Sequence, residues 1–94
     1  MVKIVWSKTA LLDLKNIYDY IAKDSKLYAI RLIERIIAAV DQLENFPYSG
    51  RIIPEKNDEF FREIILGNYR IFYRIISQNK ISILRIHHSA KNVK

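Results

Sequence analysis

Hydrophobic residues recur along this chain first with a helical period and then with a strand period. Lys3 to Trp6 is a short apolar-rich run with two β-branched residues, which predicts an opening strand, and Ser7 follows as a helix N-cap. Beyond it Leu11, Leu14, Tyr18 and Ile21 recur three and four apart, with Ile17 widening the stripe, while Asp13, Lys15, Asn16, Asp19 and Lys23 are expected on the opposite side. Asp24-Ser25 interrupts the pattern and supplies a second cap. Ala29, Ile33, Ile36, Val40 and Leu43 then form a second helical stripe, which Pro47 stops near Phe46. So short a break between two amphipathic helices predicts an antiparallel hairpin.

Pro47 to Asp58 has no clear period and reads as loop, the kind of segment on which binding and catalytic residues often sit. After it the period falls to two, with strands expected at Phe60–Leu66, Tyr69–Ile76 and Lys80–His87, joined by Gly67-Asn68 and by Ser77-Gln78-Asn79. Helices with one apolar stripe and a sheet with one apolar face satisfy each other by packing together. The expected fold is α+β: an N-terminal strand and an antiparallel two-helix hairpin laid on a mainly antiparallel sheet, in the order β-α-α-β-β-β. The other sheet face stays open. All 94 residues are expected to form a single domain, because a chain this short cannot divide into two parts that each bury a core.

Charge adds direction to this picture. Residues 1–50 carry seven basic and six acidic side chains and residues 51–94 carry nine and four, so +5 of the net +6 belongs to the C-terminal half. A one-sided positive field suits a polyanion or an acidic protein partner, although a merely soluble basic surface looks the same in composition. The chain contains no cysteine, which removes disulfides, thiolate metal sites and cysteine nucleophiles and fits a reducing cytoplasm. No apolar run approaches the length of a membrane span, and no export signal or membrane partner is expected.

The candidate chemistry lies on the meander. In Tyr69-Arg70-Ile71-Phe72-Tyr73-Arg74 the arginines alternate with aromatic and apolar residues, so Arg70 and Arg74 are expected on one face and Tyr69 and Tyr73 on the other. Arg62 and Arg85 on the flanking strands are expected to join Arg70 on the open surface. Such a face can hold phosphates by paired hydrogen bonds and stabilise a phosphorane-like transition state. The same arginines can instead pair with Glu63 and with helix carboxylates. Alternation puts His87, not His88, on the face of Arg85, and a histidine there suits proton transfer near neutral pH. Glu55 can act as a general base if its loop folds over the arginine face; otherwise it is a solvated loop carboxylate. Two histidines without cysteine or helical ligand spacing do not make a metal site, and no metal, cofactor or small-molecule ligand is expected. Gly-rich phosphate loops, Gly-x-Ser-x-Gly and His-Glu-x-x-His are missing.

Five short patterns occur in order: Trp6-Ser7-x-x-Ala10-x-x-Asp13-Leu14, Phe46-Pro47-x-x-Gly50-Arg51, Arg62-Glu63, Tyr69-Arg70-Ile71-x-Tyr73 and Ile83-Leu84-Arg85-Ile86-x-His88. Their succession resembles the RelE/ParE toxin superfamily across nearly the whole chain. The resemblance implies a toxin neutralised by a cognate antitoxin whose extended, often acidic segment wraps it. Arg51, Arg62, Tyr69, Tyr73, Arg74, Arg85, His88 and Lys91 are then expected to contact target or antitoxin.

Two targets remain open, since a fold does not fix a function. In the RelE-like branch, which cuts messenger RNA in the ribosomal A site without a metal, Arg70 matches the arginine that stabilises the scissile phosphate. There Glu55 would take a proton from the attacking 2′-hydroxyl and His87 would return one to the leaving oxygen. Departures from that branch are Phe61 and Glu63 where some ribosome-dependent nucleases carry lysines, and no tyrosine after His88. The ParE-like branch inhibits DNA gyrase and needs no nuclease chemistry. The long helical hairpin, Arg62-Glu63 and Leu84-Arg85-Ile86-x-His88-x-x-Lys91 resemble it more closely, with His88 as the matching histidine. A third reading is an RNA- or protein-binding module that kept the fold without the activity.

Overall fold

Both serines expected to cap helices do so. Ser7 Oγ accepts a 2.9 Å hydrogen bond from the Ala10 amide and Ser25 Oγ one of 3.1 Å from the Tyr28 amide, each worth about 1 kcal/mol to its helix. In a computed structural model, which describes residues 1–88, the elements are β1 (Lys3–Trp6), α1 (Lys8–Ala22), α2 (Lys26–Asp41), a 3₁₀ turn (Gln42–Glu44), β2 (Arg51–Ile52), β3 (Phe61–Leu66), β4 (Tyr69–Ser77) and β5 (Lys80–His88). The expected α+β fold is therefore present, with two additions to the meander. Strand β1 pairs parallel to β5 at one edge and the two-residue β2 pairs antiparallel to β3 at the other, giving the order β1-β5-β4-β3-β2.

One face of the sheet is closed by the hairpin. Ile71, Tyr73 and Ile75 of β4 and Ile81, Ile83 and Ile86 of β5 are buried against Ala10 of α1 and Leu32, Ile36, Val40 and Leu43 from the second helix and its 3₁₀ extension. The second helical stripe falls as its period implies, with Leu32 added. The first is rotated: Ala10, Leu14, Ile17 and Ile21 face the sheet, while Leu11 is half exposed. Asp13, expected in solvent, also faces the sheet.

Asp13 points inward because β1 is too short for its neighbour. Parallel pairing ends at Trp6 opposite Ile83, leaving the rest of β5 without a strand on that side among the described residues. The start of α1 supplies the missing partners. Ser7 donates from its amide to the Ile83 carbonyl (3.0 Å) and from its hydroxyl to the Leu84 carbonyl (2.9 Å), and Asp13 Oδ2 accepts from the Ile86 amide (3.0 Å). Between Ile83, opposite Tyr73, and Arg85, opposite Phe72, Leu84 is an extra residue, a bulge that changes which face the following side chains take. Strict alternation from Ile81 and Ile83 would have sent Arg85 and His87 into the core. After the bulge Ile86 takes the core position instead.

On the far side, a turn is bolted to the sheet by Tyr73. This fully buried side chain donates from its hydroxyl to the Pro47 carbonyl at 2.8 Å and accepts from the Gly50 amide at 2.9 Å. Gly50 has no room for more than hydrogen: a Cβ there would come within 2.7 Å of the Glu63 carbonyl oxygen and of the Tyr73 ring. The hydroxyl thus fixes where β2 begins, and with it the position of Arg51. Replacing Tyr73 by Phe is expected to lower the unfolding free energy by about 1–3 kcal/mol, since a buried amide and a carbonyl lose their shared partner. Denaturant unfolding followed by circular dichroism measures this, and an unchanged midpoint would show that the turn holds without the hydroxyl.

Candidate functional site

The face turned away from the helices is built in rows by strand register. Arg51, Glu63 and Phe72 stand side by side across β2, β3 and β4; one row along are Ile65, Arg70 and His87; on the other side are Phe61, Arg74 and Ser82. Glu63 is the organising member. Its side chain has no solvent exposure, and a buried carboxylate is tolerated only when paired and hydrogen-bonded. Arg51 Nε donates to Glu63 Oε2, and Arg70 Nε donates to Glu63 Oε1 at 2.7 Å.

Arg70 is also engaged at its outer edge. Its two Nη groups donate to Glu55 at 3.0 and 3.2 Å, so the loop does fold over the arginine face. Buried Ile53 anchors that loop by accepting from the amides of both Lys56 and Asn57 (3.0 Å each), and Asn57 turns the chain with a positive φ of 50°. The Arg70 guanidinium holds the Glu55 carboxyl below its ordinary range, and Glu55 and Glu63 together push the Arg70 pKa upward. Arg51, Arg70, Glu55 and Glu63 form a closed set of two cations and two anions.

The opposite end of the face is different. Arg74 and Lys56 lie over the Phe61 ring at 5.2 and 4.9 Å, and neither forms an ion pair among the described residues. A hollow of about 430 Å³ lies beside them, lined by Tyr48, Asp58, Phe60, Phe61, Arg74 and Gln78 among others. The free positive charge of the face is therefore at Arg74 and Lys56, while Arg70 is neutralised.

Other expected site residues are placed elsewhere. Arg62 stands opposite Tyr73, on the helix side of the sheet, and donates to the carbonyls of Glu59 (2.8 Å), Tyr48 (3.1 Å) and Gly50 (2.9 Å), with its guanidinium over the Tyr48 ring. It holds loops together and does not join Arg70. Arg85 stands opposite Phe72 by register, yet its guanidinium runs along the uncovered edge of β5 to Asp13, with bonds of 3.1 and 3.2 Å. The expected convergence of Arg62, Arg70 and Arg85 is thus replaced by a face carrying Arg51, Arg70 and Arg74. Tyr69 and Tyr73 face the core as expected, and burial raises both phenol pKa values. His87 stands opposite Arg70, with its ring 6.3 Å from that of Phe72; His88 stands on the helix side, edge-on to Tyr69 at 4.8 Å. Lys91 lies outside the described residues. Among those residues no three His, Asp or Glu side chains gather as a metal site.

Asp13, Lys56 and Glu63 are not among the expected site residues, although the alternative pairing of arginines with Glu63 and with helix carboxylates is met by Arg70 with Glu63 and by Arg85 with Asp13. The signal for Glu63 was its place in β3: Ile64 and Leu66 mark the core parity, which puts Glu63 on the open face and Arg62 with the core residues. Because the Glu55 pKa in the folded chain lies below its ordinary 4.5, the Glu55–Arg70 pair adds stability at neutral pH that is lost as pH falls through the folded value. Arg70→Ala is expected to return the Glu55 carboxyl toward 4.5 in an NMR titration. Identical Glu55 curves in the two proteins would mean that the pair does not persist in solution.

Comparison with known proteins agrees with this architecture. Residues 4–93 match the family described as ParE toxin of type II toxin-antitoxin system, parDE. The chain is 32% identical over 91 residues to Toxin RelE2 of Caulobacter vibrioides, covering 97% of this chain and 99% of that protein. It is 38% identical over 89 residues to Putative toxin Y4kP of Sinorhizobium fredii, covering 93% and 88%. Among solved structures, the chromosomal ParDE system from P. aeruginosa superposes with a TM-score of 0.76 at 25% identity, covering 94% of this chain and 96% of that one. The toxin–antitoxin complex RelBE2 from Mycobacterium tuberculosis shares the fold, with a TM-score of 0.66 at 21% identity and coverage of 93% and 96%. With a family match along nearly its whole length and toxins aligned almost end to end, this chain belongs to the ParE toxin family, within the RelE/ParE superfamily of type II toxin–antitoxin systems.

Proposed function

We propose that this toxin arrests growth by binding a protein target, DNA gyrase, and that a cognate antitoxin neutralises it by covering the basic sheet face. The observation that carries this reading is the state of Arg70. All three of its nitrogens donate to carboxylates, Nε to Glu63 and both Nη to Glu55. A guanidinium that stabilises a developing phosphorane needs its donors aimed at the phosphate and not matched by internal anions. Glu55 fits the nuclease role no better, because a carboxylate whose pKa is lowered by an arginine is a weaker proton acceptor.

A protein target also suits the helical surface. Leu11 and Leu12 of α1 and Leu27, Tyr28, Ile30 and Ile37 of α2 are all more than a third exposed. Large apolar side chains on one supersecondary unit are the usual makings of a protein interface.

The ribonuclease reading keeps one observation in its favour: Glu55 reaches Arg70, and His87 stands directly across from it. Two assays on the same purified protein separate the readings. The gyrase reading expects supercoiling to be inhibited at micromolar toxin and translated message to stay intact by primer extension. Unimpaired supercoiling together with A-site cuts that vanish in Arg70→Ala would replace it with the ribonuclease. Induction that leaves growth unslowed would point to a module that has lost toxicity.

A further inference from the structure

The hollow beside Arg74 combines the groups of a small-ligand site. It lies where β3 begins and β4 ends, at the opposite end of the sheet from the Gly67-Asn68 turn, and its volume of about 430 Å³ suits a nucleotide-sized molecule. Tyr48 and Phe60 bring aromatic rings to it and Ile76 an aliphatic side chain, all of them partly open to solvent. The ring of Phe60 has no cation over it among the described residues, so it is available to stack on a flat ligand. Phe61 has another part, since Lys56 and Arg74 both lie over its ring and are held there without a carboxylate among the described residues. Both cations therefore keep their donors for a phosphate.

The polar groups of the hollow come from the two turns beside it. Asp58 Oδ1 accepts from the Phe60 amide at 2.9 Å, which fixes the carboxylate in the wall, while Oδ2 meets no donor among the described residues. Ser77 Oγ accepts from the Asn79 amide at 3.2 Å and keeps its own hydrogen to donate. The Gln78 side chain forms no hydrogen bond among the described residues. A carboxylate, a hydroxyl and an amide thus stand ready beside an open ring, with two unpaired cations close by.

We infer that this hollow binds a free guanine nucleotide, with the base stacked on Phe60 and read by Asp58, and the phosphate on Arg74 and Lys56. The carboxylate selects the base. Guanine presents two adjacent donors, N1–H and the N2 amino group, and a carboxylate with one oxygen unengaged accepts both; its O6 acceptor, next to them, suits the Ser77 hydroxyl or the Gln78 amide. Adenine would turn the N1 lone pair toward the same carboxylate. Asp58 repels a phosphate, which puts the phosphate at the other end of the ligand, where the two cations lie. Stacking on an aromatic side chain holds any base, so the preference for guanine rests on Asp58 alone. The inference is independent of the proposed target, because none of Arg51, Glu55, Glu63 and Arg70 lines the hollow.

The test is isothermal titration of the full-length chain with guanosine monophosphate, adenosine monophosphate and inorganic phosphate. The guanine nucleotide should bind about tenfold tighter than the adenine one, and inorganic phosphate more weakly than either. Asp58→Asn keeps an oxygen for the Phe60 amide but presents a donor to guanine, and should bring the two nucleotides to within about twofold of each other. Arg74→Gln should weaken both about three- to fivefold. Arg31→Gln removes the same charge from the exposed side of α2 and should change them by less than about twofold. In the wild type, saturating guanosine monophosphate should shift the NMR amide signals of Phe60, Phe61 and Gln78 and leave those of Glu63 and Arg70 in place. No binding at millimolar nucleotide, equal affinity for the two nucleotides, inorganic phosphate bound as tightly, a preference that survives Asp58→Asn, or shifts centred on Arg70 overturn the proposal. Supercoiling and message integrity are scored apart from this binding, so its failure leaves the assignment of target standing.

Discussion

A carboxylate without access to water constrains everything around it. Left alone, buried Glu63 would cost several kcal/mol, and it is kept in place by guanidinium groups from the strands on either side, Arg51 and Arg70. The arrangement fixes the direction in which Arg70 presents itself, with Nε toward the sheet and the Nη edge toward solvent and Glu55. It also divides the open face into a neutral end around Glu63 and a positive end around Arg74 and Lys56. Every Arg70 nitrogen on that surface meets a carboxylate, and the cations without an ion pair among the described residues are Arg74 and Lys56.

The scaffold makes this arrangement possible through two local devices. The Tyr73 hydroxyl ties Pro47 and Gly50 to β4, which sets the start of β2 and carries Arg51 to the edge of Glu63. The bulge at Leu84 and the carboxylate of Asp13 manage the other edge, where β1 stops short of the end of β5. Two of the sequence patterns that carry the family resemblance thereby acquire a physical meaning. Phe46-Pro47-x-x-Gly50-Arg51 and Tyr69-Arg70-Ile71-x-Tyr73 are the two halves of one contact, and Gly50 is glycine because Tyr73 and the Glu63 backbone leave no space for a Cβ.

Much of this was legible in the sequence, and what was hidden had identifiable causes. Apolar periodicity is strong in both helices and in the long strands, so their existence and the layering of hairpin on sheet could be read directly. Strand β2 is two residues long and has no period to detect. Asp13 falls on the solvent side of a stripe that begins at Leu11, but the stripe begins one residue earlier, at buried Ala10. Arg62 shares the parity of Ile64 and Leu66 and so lies on the helix side, not on the open face expected from its neighbourhood to Arg70. Arg85 could not have been followed to Asp13, since that pairing depends on where β1 ends. The place of Glu55 over the arginine face depends on backbone bonds to Ile53 that composition does not reveal.

The commitment of Arg70 to a buried carboxylate can be measured directly by a double-mutant cycle. Unfolding free energies of the wild type, Glu63→Gln, Arg70→Gln and the double variant should give a coupling of about 1–3 kcal/mol between the two side chains. A coupling below about 0.5 kcal/mol would mean that the buried carboxylate does not hold Arg70 in solution, contrary to this account.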